Sequence, residues 1–148
     1  MIINQLGLND LNTMVEIELE NFSSPWDFKT LYYEVIINEN STFFGMFIDD
    51  ELFGYIGYWF INDNIDIINI AVRDKFKRQG IATKLFDSLL ISTRHLNPKT
   101  ITLEVNVNNT KAINLYKKLG FTSLRRIKNY YHQTNEDAYM MQKEVYYE

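Results

Sequence analysis

The sequence predicts an α/β domain: a mixed, mostly antiparallel sheet with one central parallel pair and helices on both faces. Three observations predict it. An apolar stretch over residues 65–72, a helix-period segment after Gly80 and an alternating stretch over 100–107 form a β-α-β unit, whose two strands run parallel. On either side, strand-like runs are joined by short polar turns such as Asp49-Asp50-Glu51, so those neighbours are antiparallel hairpins. The chain has 148 residues, enough for one domain with a sizeable core, and residues 1–148 are read as that single domain.

Residues 1–6 read as a short strand. Asn9 or Asp10 then caps a helix whose Leu11, Met14, Val15, Ile17 and Leu19 form an apolar face. Residues 21–26 break it, with Ser24-Pro25-Trp26 as a turn in which Pro25 keeps Ser24 extended. Asp27 caps a second helix through residue 37, with Phe28, Leu31, Tyr32, Val35 and Ile36 on its buried side.

After a polar turn over 38–41, residues 42–48 and 52–61 read as paired strands, and Asn62-Asp63-Asn64 as the next turn. The strand over 65–72 is apolar on both faces after Ile67, as in a sheet interior. The helix after Gly80 carries Ile81, Leu85, Phe86, Leu89 and Leu90 and stops near Asn97-Pro98. Along 100–107, Ile101, Leu103, Val105 and Val107 point one way and Thr102, Glu104 and Asn106 the other. Asn108-Asn109-Thr110 caps a helix holding Ala112, Ile113, Leu115, Tyr116 and Leu119, and Gly120 ends it. Residues 121–131 and 138–147 are the last two strands.

Composition narrows the function. A formal net charge of -4 argues against general nucleic-acid binding, which needs a basic face, and suits a cationic partner such as an amine or basic peptide. With no cysteine there is no disulfide, no cysteine-based zinc site and no thiol nucleophile. No basic segment followed by an apolar core opens the chain, and no apolar run reaches membrane-spanning length. The expected location is the cytoplasm, without a membrane partner. Asp63, Asp66, Glu136 and Asp137 match no metal-ligand spacing, so no metal is expected. His95 and His132 lack a Ser or Asp at telling distance, which disfavours a Ser-His-Asp hydrolase.

The chemistry-bearing stretch is 70–83. Ile70-Ala71-Val72 leads through a short connection into Arg78-Gln79-Gly80-Ile81-Ala82-Thr83. A strand that feeds a helix through glycine aims several N–H groups and a helix dipole at one point, a site for phosphate. A lone glycine by itself favours an ordinary strand-to-helix turn; Lys75, Lys77, Arg78 and Lys84 shift the reading towards an anionic ligand.

Glu104 sits mid-strand, where burial would raise its pKa into the range of a general base, or where its face simply meets solvent. Tyr116 is a proton donor or a core tyrosine. Asn109 is a helix cap that could also touch an extended ligand. Trp26, Asn129, Tyr130 and Tyr131 wall a peptide-sized groove or pack in the core.

Together, Ser24-Pro25-Trp26, Asn69-Ile70-Ala71-Val72, Arg78-Gln79-Gly80-Ile81-Ala82, Leu103-Glu104-Val105, Asn109 with Ala112-Ile113 and Leu115-Tyr116, Leu119-Gly120-Phe121, and Arg126 with Asn129-Tyr130-Tyr131 carry a resemblance. Over almost its whole length the chain resembles the GNAT superfamily of N-acetyltransferases, and within it the RimI family of ribosomal-protein-alanine N-acetyltransferases.

The resemblance implies a GNAT-like fold and acetyl-CoA as cosubstrate. Backbone groups of Ile70, Ala71 and Val72 would pair with the pantetheine arm. The N–H groups of Arg78 to Thr83 would hold the pyrophosphate, and Asn109 would touch the pantetheine. Glu104 would be the general base, directly or through water, and Tyr116 the acid for the departing thiolate. Trp26, Asn129, Tyr130 and Tyr131 would receive the N-terminal peptide of a ribosomal protein, most simply one beginning with alanine. Lys77 stands where the glycine-loop pattern usually has Gln or Arg, Ala82 stands where it usually has Gly, and His132 stands where RimI sequences often have Pro. The rival readings are an acetyltransferase for a small amine and a non-catalytic acyl-CoA-binding domain. The sequence leaves the oligomeric state open.

Overall fold

A computed structural model describes residues 2–146. Met1 and Tyr147, the outer ends of the first and last predicted strands, lie outside the described residues. In chain order the elements are β1 (Ile2–Gln5), α1 (Leu11–Asn21), α2 (Phe28–Tyr32), β2 (Ser41–Ile48), β3 (Glu51–Ile61), β4 (Asn64–Val72), α3 (Ile81–Thr93), β5 (Thr100–Asn106), α4 (Thr110–Lys118), β6 (Thr122–Tyr131) and β7 (Glu136–Glu144).

The strands form one seven-stranded sheet in the order β1-β2-β3-β4-β5-β7-β6. Among the described residues only the β4–β5 pair is parallel; the other pairs are antiparallel. The predicted fold class is therefore the observed one. Both early hairpins turn on two residues of positive φ, Asp49 (51°) with Asp50 (64°) and Asn62 (53°) with Asp63 (63°). Asn and Asp tolerate this left-handed region, and such turns match the twist of the flanking strands.

Alternation along the strands sends side chains into two cores. On one face Leu85, Phe86 and Leu89 of α3 and Ile113 of α4 pack with Ile56, Ile65, Ile67, Ile101, Leu103 and Phe121. On the other, Leu11, Met14 and Ile17 of α1 and Leu31 of α2 pack with Phe43, Leu52, Tyr55 and Ala71. Helices thus cover both faces. No helix among the described residues is long and apolar enough to cross a membrane.

Packing corrects several sequence expectations. In α1 the buried positions are Leu11, Met14, Ile17 and Glu18, and Leu19 is exposed. A carboxylate therefore occupies the place expected of an apolar residue. The second helix does not run regularly to residue 37, because Tyr33–Ile37 forms a π-helical turn. The buried face is Leu31 and Glu34, and Phe28, Tyr32 and Ile36 are exposed. Glu34 is held there by Trp59 Nε1 at 3.0 Å, Asn38 Nδ2 at 3.1 Å and the Ser41 hydroxyl. After α3, a 3₁₀ turn over Arg94–Leu96 leads to Asn97 at φ 55°, so a left-handed residue makes the stop assigned to Pro98. Ile68, Asn69 and Ile70 are only partly buried, unlike a sheet interior, because β4 there borders a cleft.

Candidate active site

β4 and β5 pair only from Asn64–Thr100 to Ile67–Leu103. Beyond that point β4 stays paired to β3 as far as Val72, and β5 stays paired to β7 as far as Asn106. Each strand keeps its outer neighbour while the inner edges separate. A bulge lies at the same place: Gly57 opposes Asn69 and Tyr58 opposes Ile67, leaving Ile68 as an extra residue in β4. Such a bulge bends a strand and ends regular pairing. The result is a cleft of about 810 Å³ between the diverging ends. Ile70, Ala71 and Val72 line it, and no strand among the described residues covers their β5 side. The Val72 carbonyl accepts a hydrogen bond from Asn21 Nδ2 at 2.9 Å, which ties α1 to the end of β4.

The N-terminus of α3 opens onto the same cleft. Gly80 has φ 75° and stands at the N-cap, and a Cβ there would meet nothing within 4 Å. The backbone angle, not crowding, is therefore what calls for glycine. The helix ladder begins with Lys84 N–H donating to the Gly80 carbonyl at 3.0 Å. The N–H groups of Ile81, Ala82 and Thr83 precede that ladder, and no side chain caps them. All three residues line the cleft, with Arg78 and Lys77 beside them. Lys77 pairs with Asp74 at 2.7 Å and Lys75 with Glu51 at 2.8 Å. Arg78, at φ 65°, makes no ion pair with a described residue. Uncapped N–H groups, a helix dipole and an unpaired guanidinium fit a diphosphate. Gln79 is exposed and does not line the cleft.

Alternation on β5 sends Leu103 and Val105 into the α3 core and leaves Glu104 facing the cleft. Burial, and after it the nearby Asp66 carboxylate, raise the Glu104 carboxyl from its ordinary value to about 6, with Arg125 opposing both. Tyr116 reaches the cleft from α4, its ring edge-on to Phe121 at 5.9 Å. Its hydroxyl makes no hydrogen bond with a described residue. Burial, then Tyr131, holds the phenol well above its ordinary pKa, so it stays protonated. Asn109 starts α4, accepting the Ala112 N–H at 3.2 Å, and also lines the cleft. Its cap role is thus fulfilled whatever else it touches.

Trp26, Tyr130 and Tyr131 form an aromatic wall of the cleft, the two tyrosines edge-on at 5.0 Å. Burial and then the Glu104 carboxylate push both phenols up to about 12. Asn129 lies outside the lining. It has φ 52° in a register shift of β6, and its N–H donates to Asp137 Oδ1 at 2.9 Å. Asp137 Oδ2 accepts from Arg126 Nε at 2.8 Å. Asn129 therefore shapes the bend before Tyr130. The cleft gathers every site residue expected from the sequence except Gln79 and Asn129.

Among the cleft residues to which the sequence reading gave no role are Glu18 and Ser24. Glu18 is almost fully buried yet lines the cleft. Its Oε1 accepts the Trp26 N–H at 2.9 Å, and its Oε2 accepts from Asn69 Nδ2 at 2.7 Å and from the Tyr55 hydroxyl. Burial raises its pKa, and the three donors oppose that shift. Ser24 Oγ is buried at the cleft without a hydrogen-bond partner among the described residues. The helical offset of Glu18 from Leu11 and Met14 carried the signal for its burial.

The profile described as the acetyltransferase (GNAT) family matches residues 11–121. The chain is 33% identical over 139 residues to a Bacillus subtilis protein provisionally named a ribosomal protein bS18-alanine N-acetyltransferase, covering 94% of this chain and 92% of that one. It is 30% identical over 141 residues to the Escherichia coli ribosomal protein bS18-alanine N-acetyltransferase, covering 94% of each. The crystal structure of the ribosomal-protein-S18-alanine N-acetyltransferase from Escherichia coli superposes with a TM-score of 0.88 at 28% identity, covering 99% of this chain and 95% of that one.

Proposed function

The chain belongs to the GNAT family of acetyltransferases, and from that premise we propose that it acetylates the N-terminal α-amine of a protein. The proposed substrate is the N-terminal alanine of a small-subunit ribosomal protein. The names carried by its relatives over 94% of the chain support this choice. So does the aromatic wall of Trp26, Tyr130 and Tyr131, which suits an extended peptide better than a small polar amine.

The observation that carries the mechanism is the divergence of β4 from β5 past Ile67 and Leu103, which sets Glu104, Tyr116 and the uncapped N–H groups of α3 around one cleft. The β4 edge at Ile70, Ala71 and Val72 would hold an amide-bearing arm as an added strand. The N–H groups of residues 80–83 and Arg78 would hold the diphosphate. Bound acetyl-CoA would supply the acetyl group as a thioester and leave as the thiol.

An α-ammonium with a pKa of about 7.7–8.0 is largely protonated at neutral pH and has no free lone pair. Glu104, with a pKa of about 6, is ionised there and takes that proton. The nitrogen then bonds to the acetyl carbon as the carbon–sulfur bond breaks. Tyr116, kept neutral by burial, gives its proton to the departing sulfur and is restored by the second proton that the nitrogen sheds as the amide forms. No covalent enzyme intermediate is needed, in keeping with a chain that has no cysteine.

The test is mass spectrometry of an alanine-initiated peptide and of spermidine, each incubated with the protein and acetyl-CoA. A gain of one acetyl on the peptide's α-amine is the expected result. Acetylation of spermidine alone would move the substrate to small amines, and no acetylation of either would remove the enzymatic reading.

A further inference from the structure

A strand that alternated regularly would send Asn69 to the same side as Ile65 and Ile67, into the α3 core. The extra residue Ile68 reverses that parity. Asn69 instead reaches the face of α1, where its Nδ2 donates to Glu18 at 2.7 Å. That is also the face to which β5 presents Glu104, since Leu103 and Val105 point into the opposite core. Asn69 and Glu104 thus border one cleft from its two diverging strands.

Glu18 decides which end of the Asn69 amide looks into the cleft. An ionised carboxylate only accepts hydrogen bonds. Its other neighbours, the Trp26 N–H and the Tyr55 hydroxyl, donate to Oε1 and Oε2, so both oxygens act as acceptors here, and these donors oppose the rise in pKa that burial causes. The Asn69 NH₂ must therefore face Glu18, and Oδ1 is left turned away, with no donor among the described residues. A fixed, unpaired acceptor beside the aromatic wall has a specific use when the incoming group carries several N–H donors.

We propose that Asn69 is a substrate-binding residue whose Oδ1 accepts a hydrogen bond from the incoming amine, and that Glu18 is the positioning residue that holds the amide in that orientation. Glu104 takes one proton of the amine, and Asn69 accepts a second N–H and orients the nitrogen. Ser24 Oγ, buried in the cleft without a partner among the described residues, is a further polar atom there. This inference rests on the cleft being the acetyl-transfer site.

The experiment is steady-state kinetics on an alanine-initiated peptide with the wild type, Asn69→Ala, the isosteric Glu18→Gln, and the double variant. CoA affinity is measured by calorimetry alongside. Loss of one hydrogen bond should raise the peptide KM of Asn69→Ala about tenfold with CoA affinity unchanged. Glu18→Gln frees the amide to turn, so it should raise KM in the same direction. The double variant should be no worse than Asn69→Ala, because Glu18 acts through Asn69. A general loosening of the fold would instead add in the double variant and weaken CoA binding, and that result would overturn the proposal. So would an unchanged KM in Asn69→Ala, or, if that variant fails to fold, an unchanged KM in Glu18→Gln. A wild type that acetylates no amine would overturn the proposed function itself; an active wild type with either failure above overturns only the role of Asn69.

Discussion

Across the parallel pair, the Thr102 hydroxyl donates to Asp66 Oδ1 at 2.9 Å, and Asp66 sits directly opposite Thr102 in the register. The bond fixes a second carboxylate on the face that carries Glu104, two residues further along β5. Diagonal neighbours of this kind are about 7–8 Å apart, near enough for charges in a partly dry site to interact.

The pH dependence of the rate should report that pair. Glu104 works as a base only when ionised, so kcat/KM for the peptide should rise with pH through an ionisation near 6. Asp66 holds that value up, Arg125 holds it down, and Tyr130 and Tyr131 face the same carboxylate. Asp66→Asn removes a negative charge, so the acidic limb should move to lower pH, towards the ordinary carboxylate value. A limb that stays in place in a pH–rate profile would exclude the coupling.

Glu104→Gln should lower kcat at neutral pH by roughly 10²–10⁴-fold and leave CoA affinity nearly intact. The same variant should be more stable at pH 8. The folded-state pKa, about 6, lies above the unfolded value of 4.5. A raised pKa contributes stability below the unfolded value and loses that contribution as pH rises through 6. Ionised Glu104 is therefore a cost above pH 6, of roughly 1 kcal/mol once the solvent reaching this half-exposed group is allowed for. Thermal melts at pH 4 and pH 8 check the sign: no gain at the lower pH, a gain at the higher.

Tyr116→Phe keeps the ring and its edge-on contact with Phe121 and removes only the hydroxyl. Expected are a loss of roughly 10²-fold in kcat, an unchanged peptide KM and an unchanged melting temperature. Full activity in the phenylalanine variant would assign the proton delivery to another donor.

Gly80 tests the diphosphate site by backbone angle alone, since a side chain there meets no neighbour. Gly80→Asn, a residue that tolerates φ near 75°, should bind CoA much as the wild type does. Gly80→Val should cost about 1–2 kcal/mol of stability and weaken CoA binding in calorimetry, because a β-branched residue resists the left-handed region. Equal CoA affinities for the two variants would place the diphosphate elsewhere.

Much of this protein is local and was readable from residue order. Period-2 and period-3.6 patterns gave the strands and helices, and the turn residues gave both tight hairpins at residues 49–50 and 62–63. Gly80 and Asn109 marked the starts of the two cleft-lining helices. Glu104 stood out because a carboxylate in the middle of a strand needs a reason. The resemblance over almost the whole chain supplied the family, which the match over residues 11–121 bears out.

Other features depend on partners far away in sequence. Glu18 is buried because Tyr55 and Asn69 reach it from β3 and β4, 37 and 51 residues away. The π turn after α2 exists where Glu34 finds Trp59, 25 residues on. Asn129 was expected on the substrate groove, yet its N–H is tied to Asp137 and it bends the strand instead.

The sequence by itself determined the order of the elements, the hairpins, the parallel pair, the glycine at the helix start and the acid on its strand, because each follows from the preferences of residues close in the chain. Only the tertiary structure decided that β4 and β5 part after Ile67 and Leu103 and that an extra residue at Ile68 turns Asn69 towards Glu104's side. Register is a relation between strands, held by packing on both faces of the sheet, and no single strand carries it in its own residues.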